Sequence, residues 1–582
     1  MSVTVIPCLS ARILHTGEGD PGGKGFHNLW GGLAVAEGMT QWVRDTVHRI
    51  TGSTARRLAV IVVFTGVPIV TALLLLPRAE YLPQGNVNFL FGILLPPPGY
   101  SLEEVASLHA IYQEKLSPLW ETKRGSLLAR AQPGGGVRDF FYVALNSQAF
   151  MGVAANDPLR VRELIPAFQG ANAEIPGAIA FIEQASIFSR SLGEGRGIDV
   201  EITGPDLAKL IVLGGQVFRK VFETMPGAQA RPIPSLDLDN PEVQVVIDRR
   251  RAADLGISNR ELGFAVRSLV DGAKASDYQH EGREIDLKIL AEKGFAHRTH
   301  LLEQMPIATP DGRVITLGSV AEIVPTNGPV SINHSERQRT VTIQVTPPER
   351  MPLESAMDLV NSRILDPMRA AGDLGGLYHV RLTGSADKLV QTGRALYWNL
   401  LLALAITYLL MAALFESFLY PFVIMFSVPL AGIGGILGLR AVNLLLAYQA
   451  MDVLTMLGFI ILIGTVVNNA ILIVHQSLNH MRNDGMTPRE AIVEATGNRI
   501  RPIFMSVGTS VFGMLPLVLF PGAGSELYRG LGSVVVGGLV VSTIFTLFLV
   551  PAIFSLSLDV RAAVAARFRG FARLAEKPAD IP

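Results

Sequence analysis

The chain reads as an α+β membrane protein, a polytopic helical bundle of six spans joined to one large extramembrane domain of ferredoxin-like split βαβ subdomains. Three observations carry this reading. Residues 58–76, 395–415, 422–439, 453–474, 502–520 and 531–558 are long apolar stretches without Asp, Glu, Lys, Arg or His. Between the first and second of them, residues 77–394 switch to alternating and helical hydrophobic periods. The whole chain is 49% hydrophobic and only 17% charged, with a mean hydropathy of +0.36, greasier than a soluble protein of its length.

Each stretch holds about 18 residues or more, and ~20 residues at a rise of 1.5 Å match a hydrocarbon core of ~30 Å. So many uncharged segments in succession argue against buried helices of a soluble protein. The span at 422–439 is the shortest and is interrupted by Pro429. Close helix packing is also written in, since Gly434 and Gly438 form a GxxxG and Ser533 and Gly537 a small-xxx-small pair.

Basic residues orient the spans. Arg44, Arg49, Arg56 and Arg57 precede the first, and Arg482, Arg489, Arg499 and Arg501 lie between the fourth and fifth. Arg561, Arg567, Arg569, Arg573 and Lys577 follow the sixth. Six crossings put all three groups on one side, the cytoplasm. The other side receives 77–394, the turn 440–452 and residues 521–530, where only Arg78, Arg394, Arg440 and Arg529 stand near span ends. The expected division is 1–57 (a partial membrane helix, a cytoplasmic loop and an interfacial helix), 58–76 (span), 77–394, 395–558 (five spans) and 559–582 (cytoplasmic tail). Residues 1–14 read as the tail of a membrane helix, 17–32 as a loop and 33–50 as an amphipathic interfacial helix.

In the extramembrane part, 87–95, 140–146, 178–184, 197–204, 242–248, 283–291, 313–324, 339–345 and 378–384 read as strands. Ser101 with Glu104, and Ser258 with Glu261, are capping boxes that start helices. Asp157-Pro158 predicts a helix start, and a further helix covers 206–224. This β-α-β cadence, with connections too short for a doubly wound domain, points to small split βαβ units side by side.

No enzymatic constellation stands out, so no catalytic residue, metal site or cofactor is assigned. Formal charge balances at zero, which gives no reason for a nucleic-acid partner. The lone cysteine, Cys8, excludes internal disulfides and cysteine-based metal cages. There is no GxxxxGK[ST], and the run Gly22–Gly25 lacks its spacing. There is no HExxH, and His280, His297, His300 and His334 are read as solvated surface groups.

One polar constellation interrupts the spans. Thr465, Asn468 and Asn469 are spaced i, i+3, i+4 on one helix face, and Ser506, Thr509 and Ser510 of the next span can face it. Asparagine has no physiological pKa, so these groups orient a carboxylate or water without carrying a proton. Their bland reading is helix glue, at ~0.6–2 kcal/mol per hydrogen bond. A titratable group at membrane depth is placed there for function, and the six spans hold none.

Several motifs agree with one family. LGFIILIGTVVNNAILIVHQ, NRIRPIFMS and GMLPLVLFPGAGSELYRGLG follow one another, after LLMAALFESFLYP and FVIMFSVPLAGIGG. Outside the spans stand VEITGPDL, PEVQVVIDRRRAADLGIS, VITLGSVAEIV and RTVTIQV, in that order. Together these resemble the C-terminal half of the inner-membrane permease of resistance-nodulation-division efflux pumps, of the drug-exporting type. The resemblance implies a proton antiporter of the bacterial inner membrane, with 77–394 as its periplasmic porter and docking region. It also implies a trimer of full-length protomers or a complementary N-terminal half, a periplasmic adaptor protein and an outer-membrane channel. In the family, a fourth-span acidic pair of the N-terminal half carries the proton. By resemblance Asn468 stands where a lysine is usual, Asn469 where asparagine is usual and Ser506 where threonine is usual. Arg499 matches an arginine at the cytoplasmic mouth. With Thr465 these are the expected relay-supporting residues.

Phe140, Phe141, Tyr142, Phe150 and Met151 flank Gly134–Gly136, near where the family builds its aromatic drug pocket, and are the pocket candidates. Aromatic strands also serve as ordinary core. Met151, Met225 and Met305 are scattered and the spans uncharged, which disfavours metal export. Two other readings compete: a non-transporting scaffold fragment, and a self-sufficient six-span protein of the protein-export accessory type.

Overall fold

The structure is a computed structural model that describes residues 32–83, 87–120, 122, 126–145, 148–186, 196–292, 299–520 and 525–575. Cys8, the glycine run at 22–25, His297, Lys577, the helix tail expected at 1–14 and most of the expected loop at 17–32 lie outside the described residues. The chain divides into two compact units.

The first unit comprises Met1–Pro77, Gly393–Pro521 and Leu527–Pro582. Its helices are α1 (Gly32–Thr51), α2 (Thr54–Leu75), α3 (Ser385–Phe415, which enters this unit at Gly393), α4 (Leu419–Met425), α5 (Ser427–Leu445), α6 (Val453–Arg482), α7 (Pro488–Leu519) and α8 (Ser525–Ala575). Among the described residues, six helical segments are long and apolar enough to cross a membrane. Their ends overrun the apolar stretches in several places. α3 starts ten residues before 395, and α8 continues well past 558, because a helix can carry charged turns beyond the apolar core. The expected span at 422–439 becomes α4 and α5, separated at Phe426, and Pro429 sits in the first turn of α5, where its missing N–H costs nothing. Helix starts are locally encoded. Asp452 accepts from the Thr455 amide at the head of α6, and Thr487 and Glu490 close a capping box at α7 with Pro488 at its first position.

The two small-residue motifs meet. A Cβ on Gly438 would stand 2.3 Å from the Ser533 carbonyl oxygen, and one on Gly434 2.6 Å from that of Gly537. Glycine is therefore required where α5 and α8 touch backbone to backbone. Around this seam Leu430, Ala431, Leu462, Val466, Val534 and Leu539 are buried. By contrast α2 shows Val62, Leu73 and Leu74 at 66%, 75% and 77% exposure, apolar surface suited to lipid.

The second unit, Arg78–Thr392 with Gly522–Glu526, holds the sheets. The first combines β1 (Leu90–Leu95), β2 (Val137–Leu145), β3 (Gln148–Ala155) and β4 (Ile179–Gln184) in the order β2-β3-β1-β4, all neighbours antiparallel. Helices Leu102–Ser107, His109–Trp120 and Ile165–Asn172 cover one face, closing a core of Leu90, Tyr112, Leu116, Met151 and Phe168. The second sheet runs β13 (Asn333–Ser335), β14 (Gln338–Thr346), β5 (Ile198–Gly204), β15 (His379–Gly384), and β6 (Gln229–Ile233) also pairs with β14. Helix Leu207–Thr224 packs on it through Leu210, Leu213, Val217 and Val221, and its N-cap Asp206 accepts from Ala208. Between β6 and β14 the described residues build three two-stranded pieces. They are β7 (Asn240–Ile247) with β12 (Ala321–Gly328), the hairpin β8 (Ala273–His280) and β9 (Arg283–Ile289), exposed apart from Ala273, and β10 (Pro306–Ala308) with β11 (Val314–Thr316).

Both predicted capping boxes form, with Ser101 and Ser258 each exchanging bonds with the glutamate three residues on. Two expectations need correction. Asp157-Pro158 opens a turn, in which the Asp157 carboxylate accepts from Leu159, and the helix begins only at Ile165. The run 313–324 is no single strand, since Leu317–Ser319 turns between β11 and β12 as Leu317 is drawn into the core under Met305 and Val320.

Candidate functional site

Half-way along α6, a cavity of about 540 Å³ opens between α3, α6 and α7. Its polar lining is Thr407, Thr465, Asn468, Asn469, Ser506 and Ser510, set among Leu410, Met411, Leu414 and Val507. The 3.6-residue period places Thr465, Asn468 and Asn469 together, and Ser506 and Ser510, one turn apart on α7, face them. Thr509 is not among the lining residues. Asn469 is buried at 3% exposure and its Nδ2 reaches Thr543 Oγ1 of α8 at 3.4 Å, whereas Asn468 and Ser506 are exposed. Hydroxyls at Thr465 and Ser510 return to carbonyls of their own helices, so each still offers lone pairs to the cavity. The set is amide and hydroxyl throughout. It can hold a water or a carboxylate and cannot itself take up a proton near neutral pH.

Arg499 stands apart from this lining. Its Nη2 donates to Gln476 Oε1 at 2.6 Å, Gln476 Nε2 lies 3.0 Å from His480 Nε2, and His480 Nδ1 lies 2.6 Å from Asp484. This chain of contacts was not anticipated. Its signal was present as the spacing Asn468, Leu472, Gln476, His480, Asp484, one residue per turn along a single stripe of α6 and the turn after it.

In the second unit the five aromatic-strand candidates part company. Phe140, Tyr142 and Met151 point into the core, where Phe140 stacks on Trp120 at 6.0 Å and Tyr142 donates to the Val105 carbonyl at 2.7 Å. Phe141 and Phe150 lie on the other face. There Phe141, Phe89, Phe91 and Phe150 form a ladder with ring centroids 6.0, 6.3 and 6.2 Å apart. Of the five, only Phe150 lines a cavity of about 780 Å³, with Tyr100, Phe218, Arg231 and the prolines Pro96, Pro97, Pro98, Pro232 and Pro234. Largely apolar walls with one guanidinium, Arg231, and one carboxylate, Asp237, suit an amphiphile. Sequence reasoning missed Arg231 and Phe218, because neither carries a motif and β6 was not foreseen.

Half-buried charge stands beside this cavity. Phe91, Phe181, Glu183 and Arg231 line a narrower space of about 30 Å³ between the two sheets. Burial pushes the Glu183 carboxyl above the usual carboxylate range, with Arg196 pulling weakly against it. Burial also raises Asp199 and lowers Arg231, whose opposite charges partly offset the effect on each other.

The family model described as the AcrB/AcrD/AcrF family matches residues 1–557. The multidrug resistance protein MdtC of Erwinia amylovora is 32% identical over 315 residues, which are 54% of this chain and 30% of that protein. MdtC of Klebsiella pneumoniae is 31% identical over 339 residues, 58% of this chain and 32% of that protein. A heavy metal efflux pump of known structure shares the fold, with a TM-score of 0.70 at 22% identity, over 91% of this chain and 53% of the pump chain. The chain thus spans about half the length of that pump, and its match covers about a third of MdtC.

Proposed function

Because the chain belongs to the AcrB/AcrD/AcrF family, we propose that it supplies the membrane and porter parts of a proton-driven exporter of amphiphilic compounds. In this reading it is a multi-pass protein of the bacterial inner membrane, with 77–394 periplasmic and both ends of the helical unit cytoplasmic. The two larger sheets act as split βαβ porter subdomains, and the pump works as a trimer with a periplasmic adaptor and an outer-membrane channel.

One observation carries the proposal. Asn468, Ser506 and Ser510 present an exposed polar cavity at the midpoint of apolar helices. Amides and hydroxyls with spare hydrogen-bonding capacity facing hydrocarbon cost free energy, so such a face requires a second protein surface against it. The lining lacks a titratable group, so the proton carrier belongs to that second surface. Asn468, Asn469, Thr465 and Ser506 then orient the carrier's carboxylate, and Arg499 holds the cytoplasmic end of α6 through Gln476. In the porter, Phe150 and Arg231 contact the substrate. The scaffold reading is favoured by the same lack of a carrier, and transport decides between them.

The test is substrate uptake by proteoliposomes under an imposed pH difference. The chain alone is expected to move nothing against a gradient, and a co-reconstituted six-span half carrying an acidic pair is expected to restore transport. Asn469→Leu should then slow it at unchanged abundance. Gradient-driven transport by the single chain would overturn the proposal in favour of a self-sufficient six-span transporter.

A further inference from the structure

Where α1 ends and α2 begins, three arginines gather with no carboxylate paired to them. Arg489 of α7 donates through Nη2 to the His48 carbonyl at 2.9 Å, and Arg56 donates through Nη1 to the Arg49 carbonyl at 3.2 Å. These are consecutive carbonyls in the last turn of α1, whose partial negative charge holds both guanidiniums there. Arg489 also fits closely over Gly52, where a Cβ would stand 2.7 Å from its Nη2. Arg49 supplies a third guanidinium, and all three arginines are exposed.

Of the neighbouring acids, Glu494 pairs with Arg44, Asp559 with Arg57 and Glu490 accepts from Thr487, while the exposed Asp45, one turn before Arg49 on α1, offsets part of the charge of that arginine alone. Among the described residues no ion pair reaches Arg49, Arg56 or Arg489. Fixed guanidiniums with free donors bind phosphate oxygens well. The surroundings say which phosphate. Trp42, two turns before Arg49 on the same side of α1, is 59% exposed, and Val63, two turns after Arg56 on the same side of α2, is 51% exposed. A phosphate site standing between an exposed tryptophan and the apolar start of a span matches a lipid, with its headgroup on the cations and its acyl chains along α2.

We propose that Arg49, Arg56 and Arg489 form a headgroup site for an anionic phospholipid of the leaflet on the arginine-rich side. The site rests on the proposed insertion of α2 in the membrane and is independent of transport.

Native mass spectrometry of the detergent-purified full chain tests it, with phosphatidylglycerol, phosphatidylcholine and glycerol 3-phosphate as probes. The intact chain is expected to retain phosphatidylglycerol over phosphatidylcholine. Arg56→Gln and Arg489→Gln should each lower that preference about fivefold, the usual worth of one arginine at an anionic surface. The lysine variants at both positions should keep most of it. Equal retention of the two lipids by the unaltered chain would overturn the site, as would an unchanged preference in the double glutamine variant. Displacement of phosphatidylglycerol by equimolar glycerol 3-phosphate would overturn the lipid assignment. Because no outcome reads transport, failure here and failure of the exporter reading are separable.

Discussion

Arg196 Nη2 stands 2.9 Å from Glu80 Oε2, with the two side chains only 8% and 1% exposed. The guanidinium also donates to the Met351 carbonyl at 2.7 Å, and Glu80 Oε2 accepts from the Leu353 amide at 3.2 Å. The pair therefore ties the segment just after α2 to the head of β5 and to the start of helix Leu353–Leu359. Burial still raises the Glu80 pKa, with Arg196 opposing it. Arg196→Met should destabilise the second unit by about 3–5 kcal/mol, because it leaves a buried carboxylate without its partner. The Glu80→Met/Arg196→Met double variant should lose less than the single one. Limited proteolysis of the solubilised chain against temperature checks both.

Glu183 gives the pH dependence. Its folded pKa lies above the ordinary 4.5, so the folded state keeps a proton that the unfolded chain has released. Its favourable contribution is complete below the ordinary value and is lost as pH rises through the folded value. Glu183→Gln, permanently neutral, should therefore raise the melting temperature of the second unit at pH 7.5 and leave it unchanged near pH 4. A gap of equal size at both pH values would show that packing, and not titration, sets the effect.

The α5–α8 seam predicts a sharp contrast between glycines. Gly438→Ala must push a methyl into the Ser533 carbonyl and should cost about 1–3 kcal/mol. Gly432→Ala meets nothing within 4 Å and should be neutral. Thermal inactivation of the two variants in the same detergent reads the difference.

Phe150 and Phe140 separate recognition from folding. Phe150→Ala enlarges the 780 Å³ cavity and should change the range of exported compounds at normal abundance. Phe140→Ala removes a ring packed on Trp120 and Phe168 and should lower abundance, with the range unchanged in what remains. Growth inhibition by a panel of amphiphiles, set against immunoblots, distinguishes them.

Much of this molecule was written locally. A bilayer requires about twenty apolar residues with every backbone group bonded inside the segment, so membrane-length helices are legible from composition and length alone. The capping boxes at Ser101 and Ser258 and the cap at Asp206 close within four residues, and the GxxxG at Gly434 and Gly438 announces a close contact without naming its partner. Tertiary structure decided the rest. Alternation puts Phe140 and Tyr142 on one face of β2 and Phe141 on the other, but only the helices laid on that sheet determine which face is core. β3, with the sequence QAFMGVAA, lacks the β-branched run that marks a strand, and pairing with β1 and β2 makes it one. Arg196 finds Glu80 across 116 residues, and Arg489 finds His48 across 441. Contacts of that separation depend on the whole chain's packing, and no periodicity within a single segment carries them.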